Sequence, residues 1–128
     1  MDTNKLIELL TILNQVNGDT KSNLNNSNNI DKHLLNKKVI IRTYSAGVHF
    51  GELIEKSDNE VILKNSRRLW YWETANKGIS LSEVANVGLS DNSKLCSPVD
   101  LIWLHAIEII PCAEKAILNI ESKHEYKA

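Results

Sequence analysis

The first 36 residues fall into an apolar stripe followed by a polar stretch. Apolar side chains at positions 6, 9, 10, 13 and 16 recur at the spacing of one helix face. This pattern predicts an N-terminal helix over residues 1–16, whose apolar face needs a partner because so short a helix is marginal alone. Residues 17–36 are dominated by Asn, with Ser, Asp and Gly, and predict a flexible linker.

From Lys37 the pattern changes to short β-branched and apolar runs separated by turn residues. Strands are predicted at 39–43, 48–55 and 60–64, and the third is expected to bend at Asn65-Ser66 into 67–73. Gly51 lies inside the second strand, where glycine marks a bulge or a sharp bend. Short strands joined by tight turns predict a small, strongly bent antiparallel sheet or barrel.

The second half of the domain contains two short helical patterns and one long apolar run. Residues 80–87 predict one or two helical turns that end at Gly88, and residues 89–99 predict a loop. The run VDLIWLHAIEIIPC predicts one strand that is buried on both faces or lies at a subunit interface. Residues 113–123 have helical spacing and predict a C-terminal helix. The predicted class is α+β, mainly β, with a compact domain at 37–123.

Composition narrows the classes of function. The chain has 128 residues, with fifteen basic and sixteen acidic side chains and a net charge of −1, so the basic footprint of a general nucleic-acid binder is missing. A long nucleic acid is therefore a less favoured partner than a small ligand. No apolar run reaches the roughly 18 residues of a membrane span, and no secretory signal is evident. We expect a cytoplasmic protein with two reduced cysteines.

The stretch RRLWYW concentrates arginine and tryptophan in one place. If it is a strand, Arg68, Trp70 and Trp72 share one face, while Arg67 and Leu69 lie on the other. Two indoles beside a guanidinium can stack a flat ring and hold a negative charge, as a nucleotide requires. The alternative is that both indoles fill the core and Arg68 lies across them at its rim.

The turn RTYSAGVHFG is a second candidate. Arg42 and Tyr44 share a strand face, and Ser45 with the amides around Gly47 can receive an anion in a compact turn. His49 on the next strand can hydrogen-bond a ligand. The alternative is a plain hairpin with a polar tip, since neither glycine-rich phosphate-loop pattern is present.

Neither catalysis nor metal binding is predicted. Ser45 and His49 have no third residue to orient them, and no carboxylate pair is evident. The four histidines lack metal-ligand spacing with cysteine, acidic residues or each other. We therefore expect no enzyme, no metal and no cofactor.

The segments RTYSAGVHFGEL, SRRLWYW and AIEIIPC, within roughly Lys37 to Glu114, resemble a family of small, mostly phage-encoded proteins of a domain of unknown function. Residues 77–79 depart from that family's pattern, and the N-terminal helix and linker have no counterpart in it. Such proteins resemble viral sponges that capture nucleotide messengers of the CBASS and Thoeris antiphage systems. The resemblance implies a non-enzymatic homo-oligomer with pockets at subunit junctions.

The first functional hypothesis is therefore capture of a cyclic dinucleotide or a cyclic ADP-ribose variant. A second likeness, to the strand rhythm of Sm and SH3 barrels, implies a module that binds RNA, DNA or a host protein. An enzyme that degrades the messenger is a third hypothesis. In the first hypothesis, the indoles of Trp70 and Trp72 stack the base. The phosphate is held by Arg42, Arg67 and Arg68, and further hydrogen bonds come from Tyr44, Ser45, Gly47 and His49.

Overall fold

The computed structural model describes residues 30–126. The chain divides into two compact units. The first, residues 1–33, is described only from Ile30 onward, where Ile30 and Asp31 are helical. The predicted N-terminal helix and residues 17–29 of the predicted linker lie outside the described residues. The second unit begins at Leu34.

The second unit contains six strands and two helices, which confirms the predicted α+β, mainly β class. Every strand pairing is antiparallel. None of the helices within residues 30–126 has the length and apolar character needed to cross a membrane. The strands are β1 Lys38–Arg42, β2 Val48–Ser57, β3 Glu60–Tyr71, β4 Lys94–Leu95, β5 Val99–His105 and β6 Glu108–Pro111; the helices are α1 Leu81–Val87 and α2 Glu114–Glu121.

The sheet is strongly bent because two consecutive strands pair with its opposite edges. The path β4-β3-β2-β1-β6 places β6 beside β1, whereas β5 pairs with β3. In a flat sheet, β5 and β6 would lie about 19 Å apart, at four spacings of about 4.8 Å. The three chain steps from His105 to Glu108 span at most about 11 Å. The sheet must therefore curve, although β5 and β6 form no ladder with each other among the described strands, so it is bent and open.

Residues 106 and 107 carry the chain from one edge to the other. The Ala106 N–H donates to the Asn59 carbonyl and the Ile107 N–H donates to the Arg42 carbonyl, each at 2.8 Å. These two bonds tie the β2–β3 turn and the end of β1 to the same short connection. Both backbone donors are satisfied where regular pairing stops.

The curvature gives the sheet two cores, one on each face. Val39 and Ile41 belong to a first core, and Ile40 between them belongs to a second, so β1 is buried on both faces. The first core is completed by Leu53, Val61, Leu63, Leu104 and Ala106. The second lies under the helices and is completed by Phe50, Leu69, Val84, Ala85, Leu89, Leu95 and Ile120.

Gly51 lies at the bend of β2, as the sequence predicted. The β2–β3 register shifts between Phe50 and Glu52. A Cβ on Gly51 would lie 3.1 Å from the carbonyl oxygen of Lys64 and from the Ser66 Cα. Any larger residue at position 51 would crowd the β3 backbone, so glycine suits the close approach of the two strands at the bulge.

The two helices begin and end where the sequence indicates. Ser80 caps α1 by accepting a hydrogen bond from the Glu83 N–H, and Gly88, at φ 94°, ends it. Asn119 of α2 accepts the Leu89 N–H through Oδ1 at 2.7 Å, which joins the end of α1 to α2. The C-terminal helix is confirmed.

The apolar run from position 99 differs from its prediction. It forms two strands rather than one, and it is not buried on both faces: Val99, Leu101 and Trp103 are exposed, whereas Leu104 is buried. The reason is that one face of β5 lies on the first core, whereas no layer formed by residues 30–126 covers the other. The predicted loop 89–99 also contains β4. The expected bend at Asn65-Ser66 is present within one continuous β3, because Asn65 has φ 53° and the β2–β3 register shifts at this point.

Arg67 joins β3 to the end of α2. Its side chain points inward, and its guanidinium donates to three backbone carbonyls: Lys123 at 2.8 Å, Cys96 at 3.3 Å and Ile120 at 3.5 Å. These include carbonyls at the helix C-terminus, which have no partner within the helix. Burial lowers the pKa of the Arg67 guanidinium, and the nearby Glu125 carboxylate opposes that shift. Arg67 thus links β3 to the segment after β4 and to the end of α2.

We expect Arg67→Met to lower the free energy of unfolding by about 2–4 kcal/mol, because buried carbonyls lose their donor. The matched control is Arg68→Met at the next, exposed position, which should change it by less than about 0.5 kcal/mol. Urea denaturation followed by circular dichroism measures both. Equal effects of the two substitutions would contradict a structural role for Arg67.

Candidate functional site

The strand containing RRLWYW alternates as predicted, but only as far as Trp70. Arg67 and Leu69 are buried, whereas Arg68 and Trp70 are exposed. The strand ends at Tyr71, so the alternation rule no longer applies at position 72. Trp72 is half-buried and packs against the second core. The shared outward face therefore contains one arginine and one indole, not the expected row of three side chains.

Trp70 forms part of an aromatic cluster that also includes Tyr71, Tyr126 and Lys94. Its ring lies nearly parallel to that of Tyr126, with centroids 5.8 Å apart and an interplanar angle of 6°. The Lys94 ammonium lies 5.3–5.7 Å from the centroids of all three rings. Even so, 64% of Trp70 remains exposed. The indole is held in place on one side and open to solvent elsewhere.

The turn at 43–47 is organised by Thr43, which the sequence analysis overlooked. Its Oγ1 accepts a hydrogen bond from the Ala46 N–H and donates to the Gly47 carbonyl, both at 2.8 Å. Gly47 has φ 89°, which explains the glycine there. Tyr44 and Ser45 project from the tip and are exposed. A threonine opening a tight turn is a known local signal that could have identified Thr43.

Arg42, at the base of this turn, is already paired. Its Nε donates to Glu108 Oε1 at 3.0 Å across the β1–β6 ladder. Both side chains are about half exposed, so the pair contributes little to stability. A ligand anion would nevertheless have to compete with the Glu108 carboxylate for this guanidinium.

His49 connects the turn to the sheet. It is 1% exposed, and its Nε2 lies 2.9 Å from the Ala46 carbonyl oxygen. A carbonyl can only accept, so Nε2 carries the proton in the neutral ring. Burial lowers the pKa of His49; the bond to Ala46 opposes that shift, and the Arg68 charge adds to it. The imidazole is therefore neutral at neutral pH.

His49 and Arg68 are opposite each other in the β2–β3 ladder and border a cavity of about 160 Å³. We call it the His49–Ser66 cavity. Of the predicted site residues, it brings together only these two. Ser66 lies two residues before Arg68 on the same strand face, so strand alternation could have identified it. The complete lining is His49, Ser66, Arg68, Cys96, Ser97, Val99 and Ile102.

A larger concavity of about 550 Å³ lies beside Arg67 and the end of α2. Its lining mixes four cationic side chains with three carboxylates. Lys38 contacts Glu121 directly, and Lys123 Nζ lies 2.9 Å from Asp91 Oδ1. Because its charges are largely compensated, this concavity is poorly suited to a strongly anionic ligand.

The described residues offer no ordinary metal site. Within positions 30–126, no three His, Cys, Asp or Glu side chains are grouped so that they could hold an ion. Cys96 and Cys112 are free thiols. Burial raises the pKa of Cys112 to about 12, which keeps that thiol protonated and unreactive.

We expect the free energy of unfolding to fall as the pH is lowered through 6.5, the ordinary pKa of histidine. The folded pKa of His49 lies below that value, so the unfolded chain binds the proton more readily. His49→Gln should remove this part of the slope, which is at most about 1.4 kcal/mol per pH unit for one proton. Urea titrations between pH 8 and 5 measure it, with exposed His124→Gln as the control. Identical slopes for His49→Gln and the unaltered protein would contradict the assignment.

Comparison with known proteins gives one match. A family model described as a domain of unknown function, DUF6948, matches residues 36–120. No curated protein and no solved structure matches the chain. The matched segment runs from just before β1 into α2, so it contains every residue that lines the His49–Ser66 cavity. It covers more than half of the chain, and the chain therefore belongs to the DUF6948 family.

Proposed function

We propose that this protein binds a small nucleotide at Arg68 and Trp70 and holds it without chemical change. In its specific form, the proposal is a phage protein in the host cytoplasm that sequesters a cyclic nucleotide messenger of bacterial defence. One observation carries it: an exposed indole and an uncommitted guanidinium lie side by side on β3, next to a cavity.

The charge of Arg68 is available to a ligand. Within residues 30–126, this side chain makes no hydrogen bond or ion pair, whereas Arg42 donates to the Glu108 carboxylate and Arg67 donates to backbone carbonyls. An arginine fork can donate two parallel hydrogen bonds to a phosphate. Lys94, at the aromatic cluster, adds a second positive charge nearby.

Trp70 supplies the stacking surface. It lies two residues beyond Arg68 on the same strand face, a separation of about 7 Å. Stacking of one base on an aromatic ring contributes about 1–3 kcal/mol. Continuing the Val48–Leu69 register by one residue places Gly47 across from Trp70. The exposed turn that holds Tyr44 and Ser45 thus borders the indole and offers hydrogen bonds to the edges of a bound base.

Capture is favoured over catalysis by the way His49 is held. Its Nε2 is bonded to a backbone carbonyl, and no described carboxylate hydrogen-bonds the ring. A general base in a hydrolytic site normally has a third group that orients it toward the nucleophile. The exposed Ser45 lies in the turn and does not line the cavity that His49 borders.

We propose further that two or more copies of the chain complete the site. The cavity of about 160 Å³ is smaller than the roughly 300 Å³ at which small-molecule sites begin. Beside it, the outer face of β5 presents an apolar strip of Val99, Leu101 and Trp103, exposed by 46%, 61% and 56%. Val99 also lines the cavity, so a second copy on this strip would extend the cavity wall.

The binding proposal is tested by calorimetric titration with cyclic dinucleotides and cyclic ADP-ribose variants. We expect Trp70→Leu to weaken the affinity about 5- to 150-fold, the equivalent of one lost stack. Arg68→Gln should weaken it as well, whereas Lys115→Gln on the exposed side of α2 is the matched charge control. Ligand released by denaturation should have an unchanged mass.

Three results would reject this proposal. Absence of heat with every small nucleotide, together with binding of single-stranded RNA, would indicate a nucleic-acid module. A released ligand of altered mass would indicate an enzyme. Nucleotide binding that is indifferent to both Trp70→Leu and Arg68→Gln would locate the site elsewhere.

The assembly proposal is tested by sedimentation equilibrium. We expect the unaltered protein to be oligomeric and the double variant Leu101→Ser, Trp103→Ser to shift toward monomer, because it removes most of the exposed apolar strip. The paired exposed changes Leu118→Ser and Ile79→Ser are the control for surface apolarity elsewhere. A protein that sediments as a monomer at all concentrations would contradict assembly through β5.

A further inference from the structure

Ser66 is a buried serine on β3. Its side chain is 2% exposed, and among the buried side-chain polar atoms of residues 30–126, Ser66 Oγ is the one without a hydrogen-bond partner. Leaving a buried hydroxyl unpaired is costly, and native structures rarely do so without a reason such as a bound group. Ser66 lines the His49–Ser66 cavity, so the cavity is where a partner for this hydroxyl would lie.

The side chains that line the cavity carry formal charge of one sign only, which is positive. Its lining contains one permanent cation, Arg68, and no carboxylate. His49 is neutral for the reasons given above, so the formal charge at the wall is that of the guanidinium. The Glu125 carboxylate accepts a hydrogen bond from the Ser97 hydroxyl but does not itself line the cavity. This charge distribution favours an anion over a cation or a neutral ring.

The volume limits what can enter. About 160 Å³ is roughly five times the volume that one water occupies in the liquid. A tetrahedral oxyanion of five heavy atoms fits within that space, whereas a base with its sugar does not. Val99 and Ile102 form the apolar part of the wall and lower the local polarity, which strengthens hydrogen bonds made inside.

We infer that the His49–Ser66 cavity is an oxyanion subsite that receives a phosphate group, with the Ser66 hydroxyl and the Arg68 guanidinium as its donors. The phosphate is either free orthophosphate or the phosphate of a nucleotide. In the second case the inference deepens the proposed function: the phosphate enters the cavity while the base stacks outside, on Trp70. The subsite itself stands on Ser66, Arg68 and the cavity, and does not require a base.

Orthophosphate is the probe, and ³¹P line broadening with the full-length protein at constant ionic strength is the measurement. We expect broadening with the unaltered protein and an affinity at least about tenfold weaker in Ser66→Ala, which loses one donor to a charged group. Ser66→Thr retains the hydroxyl and should retain binding. Ser82→Ala, on the exposed side of α1, is the matched serine control.

Stability separates a binding role from a structural one. In phosphate-free buffer, Ser66→Ala should unfold at the same temperature as the unaltered protein or higher, because it removes an unpaired hydroxyl. Added phosphate should raise the unfolding temperature of the unaltered protein but not of the variant. Arg68→Gln, at an exposed position, gives the same comparison without touching the interior.

The results discriminate sharply. No broadening with the unaltered protein, or undiminished binding by both Ser66→Ala and Arg68→Gln, would overturn the subsite and leave the cavity to water. Phosphate binding that needs Ser66, without binding of any nucleotide, would retain the subsite and reject the proposed function. Nucleotide binding that needs Trp70 but is unaffected by Ser66→Ala would retain the proposed function and reject the subsite.

Discussion

The short connection between β5 and β6 constrains the whole domain. Because these strands are consecutive yet pair with opposite edges, the sheet between them cannot lie flat. The Ala106 and Ile107 amides fix that geometry through the Asn59 and Arg42 carbonyls. In this curved sheet β1 is buried on both faces, and the β2–β3 register shifts at Gly51. It also brings the start of β5 beside the sheet face shared by His49, Ser66 and Arg68, where the cavity lies between β2, β3 and β5.

Two adjacent arginines illustrate how the fold separates structural from available charge. Arg67 is buried, and its Nε and Nη1 donate to backbone carbonyls at the end of α2, just beyond it and in the segment after β4. Arg68, one residue later, points outward beside a cavity without carboxylates. The difference arises from strand alternation alone, since both have the same chemistry. Of the two, Arg68 is the arginine whose side chain makes no hydrogen bond or ion pair within residues 30–126, which is why the proposed site uses it.

Local patterns were enough to predict much of this domain. Hairpin turns, the bulge at Gly51, the cap at Ser80 and the stop at Gly88 all depend on residues within a few positions of each other. The features that local sequence patterns do not predict depend on contacts between residues that are far apart in the chain. The carbonyls that hold Arg67 lie 53 and 56 residues away, and nothing local says that its donors will meet them. A continuous apolar run likewise contains no marker of the point at which the pairing partner changes from β3 to β1. The sequence pattern therefore predicts β5 and β6 as a single strand. The predicted position of Trp72 on the face of Arg68 and Trp70 is wrong because strand alternation does not continue past the end of β3.

The composition of the cavity wall has a consequence for how the protein survives in a cell. Its lining is drawn from positions 49 to 102 and includes two residues of β5, so the cavity is complete only when β5 is paired with β3. A chain that is still being synthesised, or one in which β5 is detached from β3, does not contain the complete cavity. Any guest would therefore bind only the finished molecule, and by mass action it would deplete the opened forms that proteases attack. Occupancy and cellular lifetime would rise together.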